Sequence, residues 1–164
     1  MKSPFFNPEE LELFINSVQD YIEINDLQML YAMLCAFLAH GNQRDKEGEP
    51  YFLHPIHVAK NVETRDEKMV ALLHDVLEDS GITEENLQTM GFSEEIISAV
   101  KALTRGRFQS YSEYIKQVRK NPLARKVKMA DIQDNMNPNR LKKLNALTQR
   151  RLKNKYENAI HILR

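Results

Sequence analysis

The sequence predicts an all-α fold, and three observations carry that prediction. Three Asn-Pro pairs precede helical apolar patterns: Asn7-Pro8, Asn121-Pro122 and Asn137-Pro138. Asparagine caps a helix by accepting from free backbone N–H groups, and proline suits the first helical position. Apolar residues recur at intervals of three or four, whereas no segment alternates with a period of two. All five glycines fall in gaps between helical patterns. We therefore predict one compact helical domain over residues 1–164.

The predicted helices follow from these signals in chain order. They span residues 8–22, 26–40, 55–63, 66–79, 83–90, 93–104, 111–120, 122–136 and 147–163, with a short one at 138–144. Glu10 stands three residues after Asn7, where a capping-box carboxylate belongs. The second helix is marked by recurring leucines and the last by a longer apolar series: Leu27, Leu30, Leu34 and Leu38, then Leu152, Tyr156, Ala159, Ile160 and Leu163. His54-Pro55 has the same form as the Asn-Pro pairs and predicts the start of the third helix.

Charge and composition exclude several classes of protein. Lys plus Arg number 23 and Asp plus Glu number 23, so the formal net charge is zero. No whole-molecule field would then attract nucleic acid or an anionic membrane. The single cysteine, Cys35, excludes an intramolecular disulfide and a cysteine zinc cluster. The longest apolar run, 29–39, is short of the roughly 20 residues of a membrane span, and the N-terminus has no apolar signal segment. We expect a soluble cytoplasmic protein.

Four polar residues interrupt the core-like segment MVALLHDVLED at 69–79. His74, Asp75, Glu78 and Asp79 are predicted to project from one side of this helix, because residues three and four apart are neighbours. Three carboxylates beside packed leucines need compensation, since an unpaired buried charge costs several kcal/mol. A divalent cation would supply it. The alternative is an acidic helix end that faces solvent.

Two further segments place polar residues in apolar surroundings. In VKMADIQDN (127–135), Asp131 stands in an apolar frame and Asn135 follows one turn later. An ordinary amphipathic helix with an exposed Asp131 is the alternative there. In HGNQRDKEGEPYFLHP (40–55), a polar, cationic loop leads to His54, which could equally be a structural helix cap.

Together the three segments supply two imidazoles and two carboxylates from separate helices. The candidate metal ligands are His54, His74, Asp75 and Asp131. Mixed nitrogen and oxygen ligation suits Mn, Fe, Co, Ni or Zn better than Ca, which prefers oxygen shells. Two aspartates balance the charge of a divalent ion and leave positions open for water and a phosphate oxygen.

The segments AHGNQRDKEGEPYFLHP (39–55), ALLHDVLED (71–79) and VKMADIQDN (127–135), in this order, resemble the HD-domain phosphohydrolases. More narrowly, they resemble the hydrolase domain of the RelA/SpoT family and the small stand-alone alarmone hydrolases. The resemblance implies an HD-domain fold and removal of 3′-pyrophosphate from ppGpp or pppGpp, which leaves GDP or GTP. It implies a divalent metal, typically Mn²⁺, on His54, His74, Asp75 and Asp131. It assigns the attacking water and proton transfer to Glu78 and Asp79, and a nucleotide contact to Asn135.

One position departs from the family pattern. The family usually carries arginine five residues after the histidine of the AH pair, and here that position is Asp45, flanked by Arg44 and Lys46. We expect Arg44 or Lys46 to bind substrate phosphate in its place. Asp45 would point away, pair with a cation such as Lys46, or mark a less charged substrate, and an Asp45→Arg change would raise ppGpp hydrolysis.

The partner expected from this resemblance is a small-molecule nucleotide, with no nucleic acid and no membrane, and the sequence predicts no oligomeric state. Two other functions stay open: hydrolysis of a different nucleotide, such as a deoxynucleotide or NADPH, or nucleotide sensing through a vestigial site. The basic C-terminal residues line the substrate mouth or form a solvated helix face: Arg140, Lys142, Lys143, Arg150, Arg151, Lys153 and Lys155.

Overall fold

The computed structural model describes residues 8–18, 26–46 and 48–164, and this part of the chain is helical, as predicted. Its helices are α1 (Pro8–Val18), α2 (Leu27–His40), α3 (Leu53–Lys60), α4 (Arg65–Leu73), α5 (Val76–Asp79), α6 (Glu84–Thr89), α7 (Glu94–Leu103), α8 (Tyr111–Arg119), α9 (Pro122–Asn135), α10 (Pro138–Leu141) and α11 (Ala146–Leu163). The only extended pairing in these residues is an isolated antiparallel bridge between Arg44 and Pro50. None of the described helices is long and apolar enough to cross a membrane.

Side-chain caps fix most of the helix starts. Asn121 and Asn137 each accept a hydrogen bond from the backbone of the helix that follows, with proline in the first turn, as the Asn-Pro pairs predict. Such a cap stabilises a helix by about 1 kcal/mol. Thr64 and Glu67 form a reciprocal capping box at the start of α4. The predicted cap of Asn7 with Glu10, and residues 19–22 of the predicted first helix, lie outside the described residues.

Two predicted helix boundaries are wrong in ways that affect the site. Helix α3 begins at Leu53, so His54 lies inside its first turn and is not the residue that precedes the helix. The predicted helix over 66–79 is two helices, because α4 ends at Leu73 and α5 begins at Val76. The pair His74–Asp75 forms the break between them.

Helix α4 lies at the centre of the fold. Its residues Met69 to Leu73 are all buried, and it contacts α2, α3, α7 and α9. A continuous apolar run is what a helix needs when neighbours cover every side. Beside it, the rings of Phe14, Phe37 and Phe52 pack with centroids 4.8 to 5.8 Å apart. These rings join α1 and α2 to the start of α3, whereas α3, α4 and α9 contact one another directly in pairs.

The leucine spacing identifies α2 but not the side that it buries. Leu27, Leu34 and Leu38 are about half exposed, whereas Met33 and Phe37 are buried. Both sides of α2 are apolar, so the spacing alone could not distinguish them. The buried side ends at His40, which the fold places in the interior.

Candidate metal centre

Three of the four predicted metal ligands meet in the interior of the fold. His54 comes from the first turn of α3, His74 from the end of α4 and Asp131 from the third turn of α9, and all three are buried. One ligand atom from each lies within 4.8 Å of the others. His54 Nε2 lies 3.0 Å from Asp131 Oδ1. Two nitrogens and an oxygen at this spacing form a set that suits a divalent transition metal.

Hydrogen bonds fix the orientation of both imidazoles. The Nδ1 of His74 lies 2.6 Å from the carbonyl oxygen of Ala71, and the Nδ1 of His54 lies 2.7 Å from a carboxylate oxygen of Asp134. Since those oxygens can only accept, each Nδ1 carries the proton. The Nε2 atom of each ring is then the one turned toward the shared centre. Histidine ligands of metals are usually held in this way, through the nitrogen that does not bind the metal.

The carboxylates of the cluster favour positive charge at the two imidazoles. Burial by itself would lower the pKa of His54, but hydrogen bonds and charge from Asp131 and Asp134 outweigh it and raise that pKa to about 9. The pKa of His74 is raised against burial in the same way, mainly by Asp75. The carboxylates thus favour a cation at the imidazoles, which a divalent ion would provide while it displaces the proton. The residues present therefore fit a divalent metal.

Asp75 stands beside this triad at the helix break. Its Oδ2 lies 3.1 Å from His74 Nε2 and accepts a hydrogen bond of 2.6 Å from the hydroxyl of Tyr51. Burial would raise its pKa, but the charge of His74 overrides this and holds the pKa well below the ordinary value. Asp75 is therefore an ionised carboxylate that faces the centre, although it is not part of the compact triad.

Asp131 is held by two neighbours on its own helix. The ammonium of Lys128 lies 2.7 Å from Asp131 Oδ2, and the side-chain amide of Asn135 donates to Oδ1 at 2.6 Å. Burial would raise the pKa of Asp131, but Lys128 and His54 together hold it well below the ordinary range. The carboxylate is thereby fixed in the ionised form that a metal ligand needs.

A cavity of about 350 Å³ opens beside these groups. Besides His54, Asp75 and Asp131, its walls carry five cationic side chains: Arg44, Lys46, Lys128, Arg140 and Lys155. Burial lowers the pKa of Lys155, and the charges of Lys128 and Lys46 lower it further. Like charges crowded in this way are relieved by an anion, so the cavity suits a phosphorylated ligand.

Two larger surface grooves, of about 790 and 780 Å³, lie elsewhere on the described surface. Neither is lined by any residue of the triad. A ligand site is identified by convergent polar groups more than by volume, and we therefore assign the site to the smaller cavity.

No protein-family model matches the chain. It is 33% identical over 121 residues to a guanosine-3′,5′-bis(diphosphate) 3′-pyrophosphohydrolase of Aquifex aeolicus, which is 71% of this chain and 17% of that protein. It is 37% identical over 112 residues, 60% of this chain and 16% of that one, to the protein of the same name from Haemophilus influenzae. The chain thus spans about a sixth of the length of these relatives.

Among solved structures, one from work on a metazoan ortholog of SpoT that hydrolyzes ppGpp matches with a TM-score of 0.69. That match has 22% identity and covers 84% of this chain and 85% of the other, so it shows the fold. The chain is thus similar in sequence to these 3′-pyrophosphohydrolases and similar in fold to the metazoan SpoT ortholog. Its fold is the helical HD fold that the sequence motifs predict.

The predicted catalytic pair, Glu78 and Asp79, lies at the exposed end of α5. Glu78 accepts a hydrogen bond of 3.1 Å from the backbone N–H of Arg105. Burial and the charges of Asp75 and Glu78 raise the pKa of Asp79, whose Oδ2 is 3.9 Å from Nδ1 of His40. The sequence predicts that these two acids share one helix face with His74. That prediction is wrong, because the chain breaks between α4 and α5 at His74–Asp75. The roles of the two acids stay predictions.

The predicted substrate contacts, Arg44, Lys46 and Asn135, all line the 350 Å³ cavity. Of the three possibilities expected for Asp45, the structure shows the pairing with a cation. The cation is Arg140, whereas Lys46 was the example given from the sequence. The Asp45 carboxylate pairs with Arg140 at 3.3 Å and accepts from the backbone N–H of Glu49. Of the basic C-terminal residues, Arg140 and Lys155 line this cavity.

The sequence prediction missed several groups that hold the site together. Lys128 could have been found from its position three residues before Asp131, where an ion pair forms on a helix. Asp134 could have been found from the rule that a ligand histidine donates its second N–H to a carboxylate. Nothing local predicted Tyr51 as the partner of Asp75, or His40, whose buried Nε2 has no hydrogen-bond partner among the described residues.

Proposed function

We propose that the protein is a metal-dependent pyrophosphohydrolase that converts ppGpp and water into GDP and pyrophosphate. The observation that carries this proposal is the buried triad of His54, His74 and Asp131, which adjoins a cavity with five cationic side chains. These residues would hold a metal that activates water, and the cationic side chains would bind a polyphosphate. The curated relatives bear the name of this activity. We further propose that residues 1–164 act as one unit, since the described helices share one core.

The metal that we propose is Mn²⁺, held by His54, His74, Asp75 and Asp131. The bound ion supplies the Lewis acidity that makes water a nucleophile near neutral pH. Lys128 and Asn135 keep Asp131 ionised and oriented, and Tyr51 does the same for Asp75. A divalent transition metal with this ligand set would be held by two neutral imidazoles and two carboxylates.

The chain's own side chains are proposed to bind the substrate and move the proton. Arg44 and Lys46 lie on the loop at one side of the cavity and Lys155 on α11 at another, so they can contact the phosphates. Asn135 is proposed to contact the nucleotide. Glu78 takes a proton from the attacking water, and Asp79, whose pKa is raised, is suited to return a proton to the leaving oxygen.

The experiment is an assay of the Mn²⁺-loaded protein against ppGpp, pppGpp, NADPH and deoxynucleotides, with pyrophosphate and phosphate measured separately. We expect pyrophosphate and GDP from ppGpp, at a rate that EDTA abolishes and Mn²⁺ restores. Phosphate released only from NADPH or a deoxynucleotide would move the protein to that substrate class. Tight nucleotide binding without any turnover would identify a sensing module.

A further inference from the structure

A chain of hydrogen bonds joins the 44–50 loop to the metal ligand His54. At the loop end, Asp45 pairs with Nη2 of Arg140 at 3.3 Å. At the other end, Nη1 of Arg140 donates to Oδ2 of Asp134, and that same oxygen accepts from Nδ1 of His54 at 2.7 Å. Four side chains, from the loop, α3, α9 and α10, are therefore linked in one line.

The groups in this line are shielded from water. The side chain of Asp134 is 6% exposed, that of Asp45 is 11% exposed and that of Arg140 is 19% exposed. Electrostatic interactions are stronger in such surroundings than at the open surface. The guanidinium carries one positive charge between two carboxylates, so each acid depends on the position of the same cation.

Arginine suits this place because its planar group offers N–H donors in fixed, diverging directions. One nitrogen faces the loop and the other faces Asp134, so the guanidinium sets the distance between them. A lysine would keep the charge but has a single nitrogen to offer. Although Arg140 lines the cavity, its position between Asp45 and Asp134 gives it a structural partner on each side.

We propose that Asp134 and Arg140 are positioning residues that orient His54 for the metal and tie this orientation to the loop carrying Arg44 and Lys46. The proposal rests on the proposed metal-dependent function and extends it to residues that the sequence motifs do not assign. Asp45, at the position where the family has arginine, is the loop's anchor in this line. The binding of phosphate by the loop and the binding of metal by His54 are then coupled.

The test measures the affinity for Mn²⁺ alone, by calorimetry, in Asp134→Asn, Arg140→Met, Arg140→Lys and Asp45→Asn. We expect a 10- to 100-fold weaker affinity for Asp134→Asn and Arg140→Met, the range typical of groups that support metal ligands. Arg140→Lys should restore only part of the loss, because its single nitrogen replaces two that each face one acid. Asp45→Asn should weaken Mn²⁺ binding by a few-fold and raise KM more than it lowers kcat.

The matched control is Glu49→Gln. Glu49 lies on the same loop and pairs with Lys143 at 3.6 Å, so it links the loop to the same C-terminal region without reaching His54. It should leave Mn²⁺ affinity unchanged. Circular dichroism and the melting temperature establish that each variant is folded. Should Arg140→Met unfold, Arg140→Lys and Asp134→Asn still carry the comparison.

Coupling is measured by a double-mutant cycle. The effects of Asp45→Asn and Asp134→Asn on Mn²⁺ affinity should be non-additive with Arg140 present and additive when it is replaced by Met. Additive effects in both backgrounds, unchanged affinity in folded Asp134→Asn, or an equal loss in Glu49→Gln would each overturn the proposal. So would a wild-type protein that binds no Mn²⁺.

These outcomes are separable from those of the proposed function. If wild type binds Mn²⁺ and the variants weaken it as expected, yet ppGpp is not cleaved, the positioning role stands and the substrate assignment fails. If ppGpp is cleaved while the variants keep wild-type Mn²⁺ affinity, the positioning role fails and the activity stands.

Discussion

At the scale of single residues, Asp45 shows how a contact can reverse an expectation drawn from sequence. Its carboxylate is held by Arg140 and by the backbone N–H of Glu49. An Asp45→Arg change would place two guanidiniums together, and like charges about 4 Å apart cost on the order of 4 kcal/mol at an effective dielectric near 20. We therefore expect Asp45→Arg to lower the melting temperature and kcat/KM for ppGpp, measured beside Asp45→Asn. A gain in kcat/KM would show that this pairing does not govern the loop.

Glu78 gives the second prediction at this scale. Glu78→Gln keeps an oxygen to accept from the N–H of Arg105, so the local structure should persist, but the proton acceptor is lost. We expect kcat to fall about 10²- to 10⁴-fold while Mn²⁺ affinity is unchanged. The exposed Glu157→Gln on α11 is the control and should behave as wild type. Normal turnover by Glu78→Gln would remove Glu78 from the mechanism.

At the scale of elements, helix starts could be predicted and the helix break could not. Asn121 and Asn137 each accept a hydrogen bond from the helix that they begin, so the local sequence is enough to predict these caps. The segment around His74–Asp75 has no glycine or proline, and its local preference is helical throughout. The contacts at the break include the carbonyl of Ala71 and the distant Tyr51. In the site, the candidate metal ligands could be predicted from the sequence motifs. Asp134 and Arg140, which hold His54 in place, could not, because their contacts depend on packing between helices.

The start of α4 provides a pH-dependent prediction at the same scale. Glu67 is buried, and the hydrogen bond from Lys126 together with backbone N–H groups outweighs burial and lowers its pKa from about 4.5 to about 2. Because the folded pKa is the lower one, ionised Glu67 stabilises the fold above pH 4.5, and this contribution is lost as the pH falls toward 2. The stabilisation that ionised Glu67 contributes is on the order of 1–2 kcal/mol, because solvent screens its exposed partner Lys126.

Glu67→Gln should accordingly lower the free energy of unfolding at pH 7, and the difference from wild type should shrink between pH 5 and pH 3. Urea unfolding at a series of pH values measures this. Glu63→Gln, an exposed neighbour, is the control and should change stability by less than 0.5 kcal/mol. A Glu67→Gln deficit that stays constant down to pH 3 would mean that the charge is not what stabilises the capping box.

At the scale of the whole molecule, the metal site is a point where the central helices are joined. His54, His74 and Asp131 belong to α3, α4 and α9, and these helices pack on one another in pairs. Buried carboxylates lie where these helices meet, and Asp131 and Asp134 raise the pKa of His54 against the effect of burial. A divalent ion that binds there binds the folded state alone, because the unfolded chain does not hold the three helices together.

Metal should therefore stabilise the entire fold. At a free concentration 100 times Kd, binding adds about 2.7 kcal/mol, which for a chain of this size raises the melting temperature by roughly 5–10 °C. We expect the melting temperature to fall by that amount with EDTA and to recover with Mn²⁺. A His74→Ala, Asp75→Ala double variant should show no response, whereas His161→Ala, on the exposed side of α11, should respond as wild type does. If the double variant gains as much stability from Mn²⁺ as wild type, the ion binds elsewhere and the assignment of the centre is wrong.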